Sequence, residues 1–382
     1  MIEKQKAVLR VRKAIAEIQA GRMVILVDDE DRENEGDLTM AAELVTPEAI
    51  TFMATKGCGL ICVTLTPEKI NQLKLPMMVE RNLSPLGTAF TVSIEAAKGV
   101  STGISSADRA LTIKTAASPF STGADIVSPG HGFPLRAMPG GVLQRTGQTE
   151  GSVDLARMAG LTPAGVICEV MKNDGTMARM GDLRVFAEEH HLVILSIADL
   201  IEYRLQNDRL VECRATYEME LGTTKRATFK AHVYDALPGI VRHEYVALVL
   251  GDITDGQPVP CRAHVACLAD DVFGAHTRTG SPPICEVIDV IIARGRGVIL
   301  FLPSRDSIHS EFLRTFATPC ENTKTDNNEV IREYGIGAQI LLDLGVRNLQ
   351  VISNNVHRLA GLNGWGFEST QQISLEEVLK NG

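Results

Sequence analysis

Apolar residues recur at Val8, Val11, Ile15 and Ile18, the spacing of one helical face, and Gly21 supplies a stop. Met23 to Val27 then form an uninterrupted apolar run that reads as a short buried strand, so the polar stretch after it begins where a strand ends. Thr46-Pro47-Glu48 and Thr66-Pro67-Glu68 each place a capping hydroxyl, a first-turn proline and an acid at a helix start. Helices are expected from Ala107 to Ala117 and from Ser152 to Ala159, with a strand over Gly165 to Cys168. Ser196 and Asp199 resemble a capping box that opens a helix running to about Leu205. A polar linker is expected at Asn207 to Glu212. Beyond it, Tyr217 to Leu221, Thr228 to Val233, Tyr245 to Gly251 and Arg262 to Leu268 read as strands. Ile284 to Ala293 and Glu329 to Leu344 read as helices. The pattern predicts an α+β chain: an α/β domain over residues 1–206, then a mixed α+β domain over 213–382.

With 382 residues, the chain has length for two or three domains and a sizeable core. No apolar run approaches the length of a membrane span, and the first twenty residues alternate charged and apolar positions, unlike an export signal. A cytoplasmic protein with no membrane partner is expected. The formal charge of −9 argues against a sequence-independent grip on nucleic acid. The eight scattered cysteines, none in a C-x-x-C pair, read as reduced thiols rather than a disulfide framework. The totals conceal one local excess. Seven of the 47 acids fall between Asp28 and Asp37.

That run, DDEDRENEGD, has two readings. One is a solvated surface loop. The other has carboxylates coordinating hard divalent cations, with Arg32 on a substrate phosphate and Gly36 turning the backbone. His131, in HGFPLRA, is either a satisfied polar residue or a proton shuttle in a carboxylate-rich half. In RTGQTEGSVDL, Arg145 and Thr149 precede the expected helix, as a phosphate site or as an ordinary N-terminal cap. Glu169 ends a strand, as a catalytic carboxylate or a surface acid.

Taken together, DDEDRENEGD, GTAFTVSIEA (Gly87 to Ala96), STGISSADRA (Ser101 to Ala110), HGFPLRA, RTGQTEGSVDLARMAGLTPAGVICEV (Arg145 to Val170) and NDGTMAR (Asn173 to Arg179) resemble 3,4-dihydroxy-2-butanone 4-phosphate synthase of riboflavin biosynthesis. The resemblance covers nearly all of residues 5 to 205. It implies a lyase that converts D-ribulose 5-phosphate into L-3,4-dihydroxy-2-butanone 4-phosphate and formate on two magnesium or manganese ions, in a homodimer. Carried over residue by residue, it implies that Arg32 and Glu33 contact substrate and metal and that Asp37 binds sugar hydroxyls. Arg145, Thr146, Gly147, Gln148 and Thr149 would hold the phosphate, Asp108 and Arg109 would support the pocket, and His131 and Glu169 would transfer protons, Glu169 also touching substrate. One position departs. The family pattern R-x-G-H-T carries a metal-binding histidine where this chain has Gln148, which offers a neutral amide oxygen. The expected metal ligands are therefore Glu33 and Gln148.

Residues 215 to 371 resemble GTP cyclohydrolase II, through HEYVALVLGDI (His243 to Ile253), CLADDVFGAHTRTG (Cys267 to Gly280), RGRGVILFLP (Arg294 to Pro303), REYGIGAQIL (Arg332 to Leu341) and SNNVHRLAGLNGWGFE (Ser353 to Glu368). That family holds a catalytic zinc with three cysteines. Here Cys267 remains, while Ala275 to Gly280 carry neither later thiolate. Leu302 to Asp306 stand in place of the family's nucleotide-binding R-Q-E-G-R-G-I-G, and Val330 in place of the acid of its D-x-R pattern, whose arginine is Arg332. The expectation is a synthase with an inactive cyclohydrolase-like tail and no zinc. Two other readings are a bifunctional synthase and cyclohydrolase, and a non-catalytic regulatory partner of riboflavin enzymes, for which Gln148 is the support.

Overall fold

The structure, a computed structural model, describes residues 2–30, 32–84, 86–236, 244–275, 282–303, 309, 312, 336–353 and 367–374. Two compact units divide between Arg204 and Leu205.

The first unit is built on seven strands: β1 (Val24–Val27), β2 (Gly36–Ala41), β3 (Cys62–Leu65), β4 (Ile94–Ala96), β5 (Ile126–Arg136), β6 (Ala164–Glu169) and β7 (Val193–Ser196), in the order β4-β5-β3-β6-β2-β1-β7. Its helices are α1 (Ile2–Gln19), α2 (Pro47–Phe52), α3 (Pro67–Gln72), α4 (Ser106–Ala117), α5 (Gln148–Met158), α6 (Met180–Glu189) and α7 (Ile197–Asn207). The sheet is mixed: β1 pairs antiparallel with β2 and parallel with β7, and β3 pairs parallel with β5 and antiparallel with β6. Two faces are covered. Leu38, Val63, Val166 and Cys168 share one core with Ile50, Ile113 and Leu183 from α2, α4 and α6. On the other face, α5 brings Gly151 against Leu26 and Ser152 against Gly165, where any β-carbon would collide.

Local chemistry explains where the elements start. Thr46 and Thr66 accept from the backbone N–H groups of Ala49 and Lys69, as capping hydroxyls do, and the Ser196 hydroxyl accepts from Asp199. The buried face of α1 is Ala7, Val11, Ala14 and Ile18, so two alanines do work that the sequence reading gave to Val8 and Ile15, which are only half-buried. The helix expected from Ser152 begins at Gln148, which moves the Gln148-Thr149 pair into its first turn. The acidic run is also shorter than it reads. Gly36 and Asp37 already belong to β2, whose Gly36 pairs with Val27, so Asp28 to Glu35 form the loop of a β-hairpin.

The second unit holds β8 (Val211–Leu221), β9 (Ala227–Ala236), β10 (Glu244–Leu250), β11 (Val259–Val265), β12 (Gly297–Leu302), β13 (Asn348–Ile352) and β14 (Ser369–Ile373), ordered β14-β13-β11-β12-β10-β9-β8. Helix α8 (Ile284–Arg294) buries Val287, Ile288, Ile291 and Ile292 against Phe229, Leu248 and Ile299. A helix over 336–343 lies on the opposite face, where Gly337 meets Leu300 and Tyr234 donates to Asp343 at 2.8 Å. The expected helix from Glu329 is described only over this part; Val330, Arg332, His276 to Gly280, Ser304 to Asp306 and most of Ser353 to Glu368 lie outside the described residues. Among the described residues no helix is long and apolar enough to cross a membrane. The seven described cysteines are free thiols.

Candidate active site

The hairpin loop between β1 and β2 is organised by its first carboxylate. Asp28 accepts from the backbone N–H groups of Glu33 at 3.0 Å and Glu35 at 2.8 Å, and from Arg32 Nη1 at 2.7 Å, with its side chain fully buried. Asn34 takes the left-handed conformation that closes the turn. From outside, Arg179 donates to the carbonyls of Glu33 and Asn34. Asp28 and Arg179 thus shape the loop, a role the acidic run did not reveal.

Arg32 Nη1 gathers three acceptors: Asp28, the Glu33 carboxylate at 2.7 Å, and the Gln148 amide oxygen at 3.0 Å across 116 residues. The two expected metal ligands therefore meet on one cationic nitrogen. Gln148 is buried, and its Nε2 has no partner. Among the described residues no three or more His, Cys, Asp or Glu side chains are grouped to hold a metal. The Glu33 carboxylate and the Gln148 amide oxygen are donors of the kind magnesium takes, few in number because it keeps several waters, and in this structure both are engaged by Arg32.

The chain enters α5 through Arg145, half-buried Thr146 and Gly147. Gly147, the N-cap, offers no side-chain cap to the first helical N–H groups, and a β-carbon on it would lie 2.5 Å from Arg145 Nη1 and 3.0 Å from Arg32 Nη2. Two guanidiniums thus flank the positive end of an eleven-residue helix whose first turn buries Thr149. Arg145 is aimed by Glu150, at 2.7 Å, and also donates to the Leu86 carbonyl. Burial pushes the Glu150 carboxyl up, opposed by Arg145.

Asp37 and Glu169 are direct cross-strand partners on β2 and β6, so both project from the face that α5 covers. Asp37 is buried; burial, then the neighbouring Glu169, Glu33 and Glu35, raise its carboxyl well above the usual range. Glu35 is raised by burial and by Glu33. Glu169 accepts from the Leu60 N–H at 2.8 Å, and Gly59 passes so close that a β-carbon would lie 2.5 Å from its carboxylate. His131 stands on the same end of the sheet. Ile167 and Phe133 both pair with Cys62, and Glu169 and His131 lie two residues beyond these, on the same face by alternation. Two inter-strand steps separate them, about 10 Å. His131 bonds not to Glu169 but to Glu95, at 3.0 Å. Asp108 accepts from Ser101 and Gly103 and fixes the loop beside Glu95.

A carboxylate pair at a sheet end, Asp37 buried and Glu169 half-buried, on the side of a helix N-terminus flanked by two arginines, suits a small phosphorylated substrate whose protons must move. The model of the 3,4-dihydroxy-2-butanone 4-phosphate synthase family matches residues 12–203. The chain belongs to this family. It is 48% identical over 379 residues to the riboflavin biosynthesis protein RibBA of Aquifex aeolicus, covering 96% of this chain and 92% of that one. Two plant relatives match 96% of this chain: the monofunctional riboflavin biosynthesis protein RIBA 2 of Arabidopsis thaliana (46% identical, 76% of its length) and the probable bifunctional RIBA 2 of Oryza sativa (44%, 67% of its length). Among solved structures, RibBX, a two-domain synthase from A. baumannii, superposes with a TM-score of 0.75 at 38% identity, covering 95% of this chain and 99% of that one. A synthase in complex with two magnesium ions matches 52% of this chain and 97% of its own, at 40% identity and a TM-score of 0.50.

The second unit requires a correction. The GTP cyclohydrolase II family model matches residues 213–374, and the similarity to the RibBA relative runs through both units. These matches overturn the expectation of a synthase with an inactive tail. That expectation rested on three local departures, the two absent cysteines after Cys267, Leu302 to Asp306 in place of the nucleotide-binding stretch and Val330 in place of an acid, whereas the match extends over the whole unit. In the described part, His264 Nε2 is turned onto both oxygens of Asp271, at 2.9 and 3.0 Å, and Asp271 also accepts from the N–H groups of Cys267 and Ile284.

Proposed function

We propose that the first unit converts D-ribulose 5-phosphate into L-3,4-dihydroxy-2-butanone 4-phosphate and formate. The observation that carries this reading is the convergence of Arg32, Arg145, Glu33 and Gln148 at the N-terminus of α5. Arg145 and Arg32 flank the substrate phosphate, which the helix N-terminus, Thr146, Gly147 and Thr149 complete. Asp37, able to keep its proton to higher pH than a free carboxylate, binds the sugar hydroxyls. Glu169, held by the Leu60 N–H, and His131 move protons on and off the sugar carbons. Glu33 and Gln148 hold the magnesium or manganese, two ions per site, which supply Lewis-acid stabilisation of charge on adjacent oxygens. Two copies of the chain form the working molecule, a reading supported by Met78, Val79, Leu83 and Leu86, exposed in one short segment. A cytoplasmic location completes the proposal.

Purified full chain given ribulose 5-phosphate with magnesium or manganese is expected to release formate. Release no greater than from Glu33→Ala would overturn the assignment. For the second unit, the match at 213–374 favours a GTP cyclohydrolase II activity. Formate released from GTP is the expected result; no release above that of heat-denatured protein would overturn it.

A further inference from the structure

We propose that Glu95 is the positioning residue of His131, fixing its tautomer so that the nitrogen facing the site is the basic one. The inference rests on the reading of His131 as a proton-transfer group. Glu95 stands on β4, buried, with Oε2 3.0 Å from His131 Nδ1. An ionised carboxylate only accepts hydrogen bonds, so Nδ1 carries the proton and Nε2 is left with a lone pair. The His131 side chain is 45% exposed and that of Glu95 only 11%: the carboxylate is the buried anchor and the ring is its open end.

The surroundings fit an orienting role. Gly103 packs directly on the Glu95 carboxylate, where a β-carbon would come within 2.0 Å of Oε2, and Asp108 pins that loop through Ser101 and Gly103. On the other side the Gly130 backbone lies against Ile94 and Glu95, too close for any side chain. Gly103 thus packs on the Glu95 carboxylate and Gly130 on the backbone that carries it. Glu95 Oε1 is buried with no partner at all. A carboxylate with one oxygen unsatisfied is costly to bury, and a structural role would be met as well by an apolar residue. Placed against His131, the same charge stabilises the imidazolium formed when Nε2 takes a proton from substrate, and the proton leaves by the same nitrogen.

The test uses the full-length protein with 15N-labelled histidine. The two-bond imidazole correlations of His131, at a pH where the ring is neutral, are expected to show the Nδ1–H tautomer in the native chain. In Glu95→Ala they are expected to show the Nε2–H tautomer that an unconstrained imidazole prefers. Glu95→Ala should lower kcat by about 10- to 100-fold with KM for ribulose 5-phosphate within about two-fold, and Glu95→Asp should restore part of it. Thermal melting confirms that each variant is folded. An unchanged tautomer in Glu95→Ala overturns the proposal, and so does a changed tautomer with unchanged kcat. His131→Gln separates this failure from that of the underlying reading: if it too keeps kcat, the role of His131 is what failed.

Discussion

Among the described residues each unit holds a histidine hydrogen-bonded to a carboxylate distant in sequence or across a turn, His131 to Glu95 and His264 to Asp271, and the two pairs are built in opposite senses. In the first unit the imidazole is the exposed partner: Glu95 is buried and takes one nitrogen of His131, whose side chain stays 45% exposed. In the second, His264 is itself buried, only 3% exposed, stacked on Phe301, with Nε2 committed to Asp271 and Nδ1 enclosed without a partner. Asp271 in turn ties the N–H groups of Cys267 and Ile284, joining the end of β11 to the start of α8. Among the described residues both nitrogens of His264 are enclosed. The bond to a carboxylate does not by itself equip a histidine for proton transfer; the second nitrogen must also stay open.

The largest expected effect breaks that symmetry directly. His131→Gln should lower synthase kcat by roughly 10²- to 10⁴-fold, the range of a lost general acid–base, with little change in melting. His264→Gln should leave synthase kcat within about two-fold and instead destabilise the chain by about 1–3 kcal/mol, because Asp271 keeps the N–H groups of Cys267 and Ile284 but the buried ring packed on Phe301 is lost. Steady-state formate release and denaturant melts on the same preparations measure both. A fall in synthase activity in His264→Gln without loss of folded protein would show that the distinction drawn from exposure is wrong.

A smaller effect sharpens the account of the open end. Gln148 holds its amide oxygen on Arg32 and leaves Nε2 buried and unsatisfied. The family pattern R-x-G-H-T places a metal-binding imidazole at this position. Gln148→His should therefore tighten half-saturation by magnesium about tenfold, by titration of formate release against free metal. No change would mean that the amide is not a metal ligand and that its burial serves Arg32 alone.

The sequence made much of the fold legible, but through different residues than those that carry it. The capping threonines, the strand before the acidic run and the α8 face could be read because each is a local pattern. Strand β2 could not: Gly36-Asp37-Leu38-Thr39-Met40-Ala41 is buried on both faces, and Asp37 and Thr39 break the apolar run that would announce it. The site residues named from the resemblance are drawn to one end of the sheet. Their partners are not legible, because Asp28, Glu95, Glu150 and Arg179 act through contacts that only folding creates, such as the 145 residues between Asn34 and Arg179. The expectation of an inactive tail fails for a related reason: it is drawn from a few positions, whereas the family match spans residues 213–374.

The smallest effect concerns what the open site costs the fold. With magnesium removed, Asp37 is buried beside Glu169, Glu33 and Glu35, and its carboxyl is raised well above the usual range by burial first and by those charges next. A raised carboxyl holds its proton to higher pH in the folded chain than in the unfolded one. Between the ordinary carboxylate value and the raised one the folded state binds more protons, so stability falls as pH rises through that window. Below the window the penalty is absent; above it the penalty is complete. Asp37→Asn removes the charge at nearly constant shape and should melt about 2–4 °C above the native chain near neutral pH in EDTA, the gap closing as the pH falls. Magnesium should narrow the gap by binding the native chain more tightly than the variant. A gap of equal size at every pH would mean that the gain comes from packing, and that the carboxylates at this sheet end coexist without strain. No such gap is expected for Asp271→Asn, because the Asp271 carboxylate already meets His264 and two N–H groups.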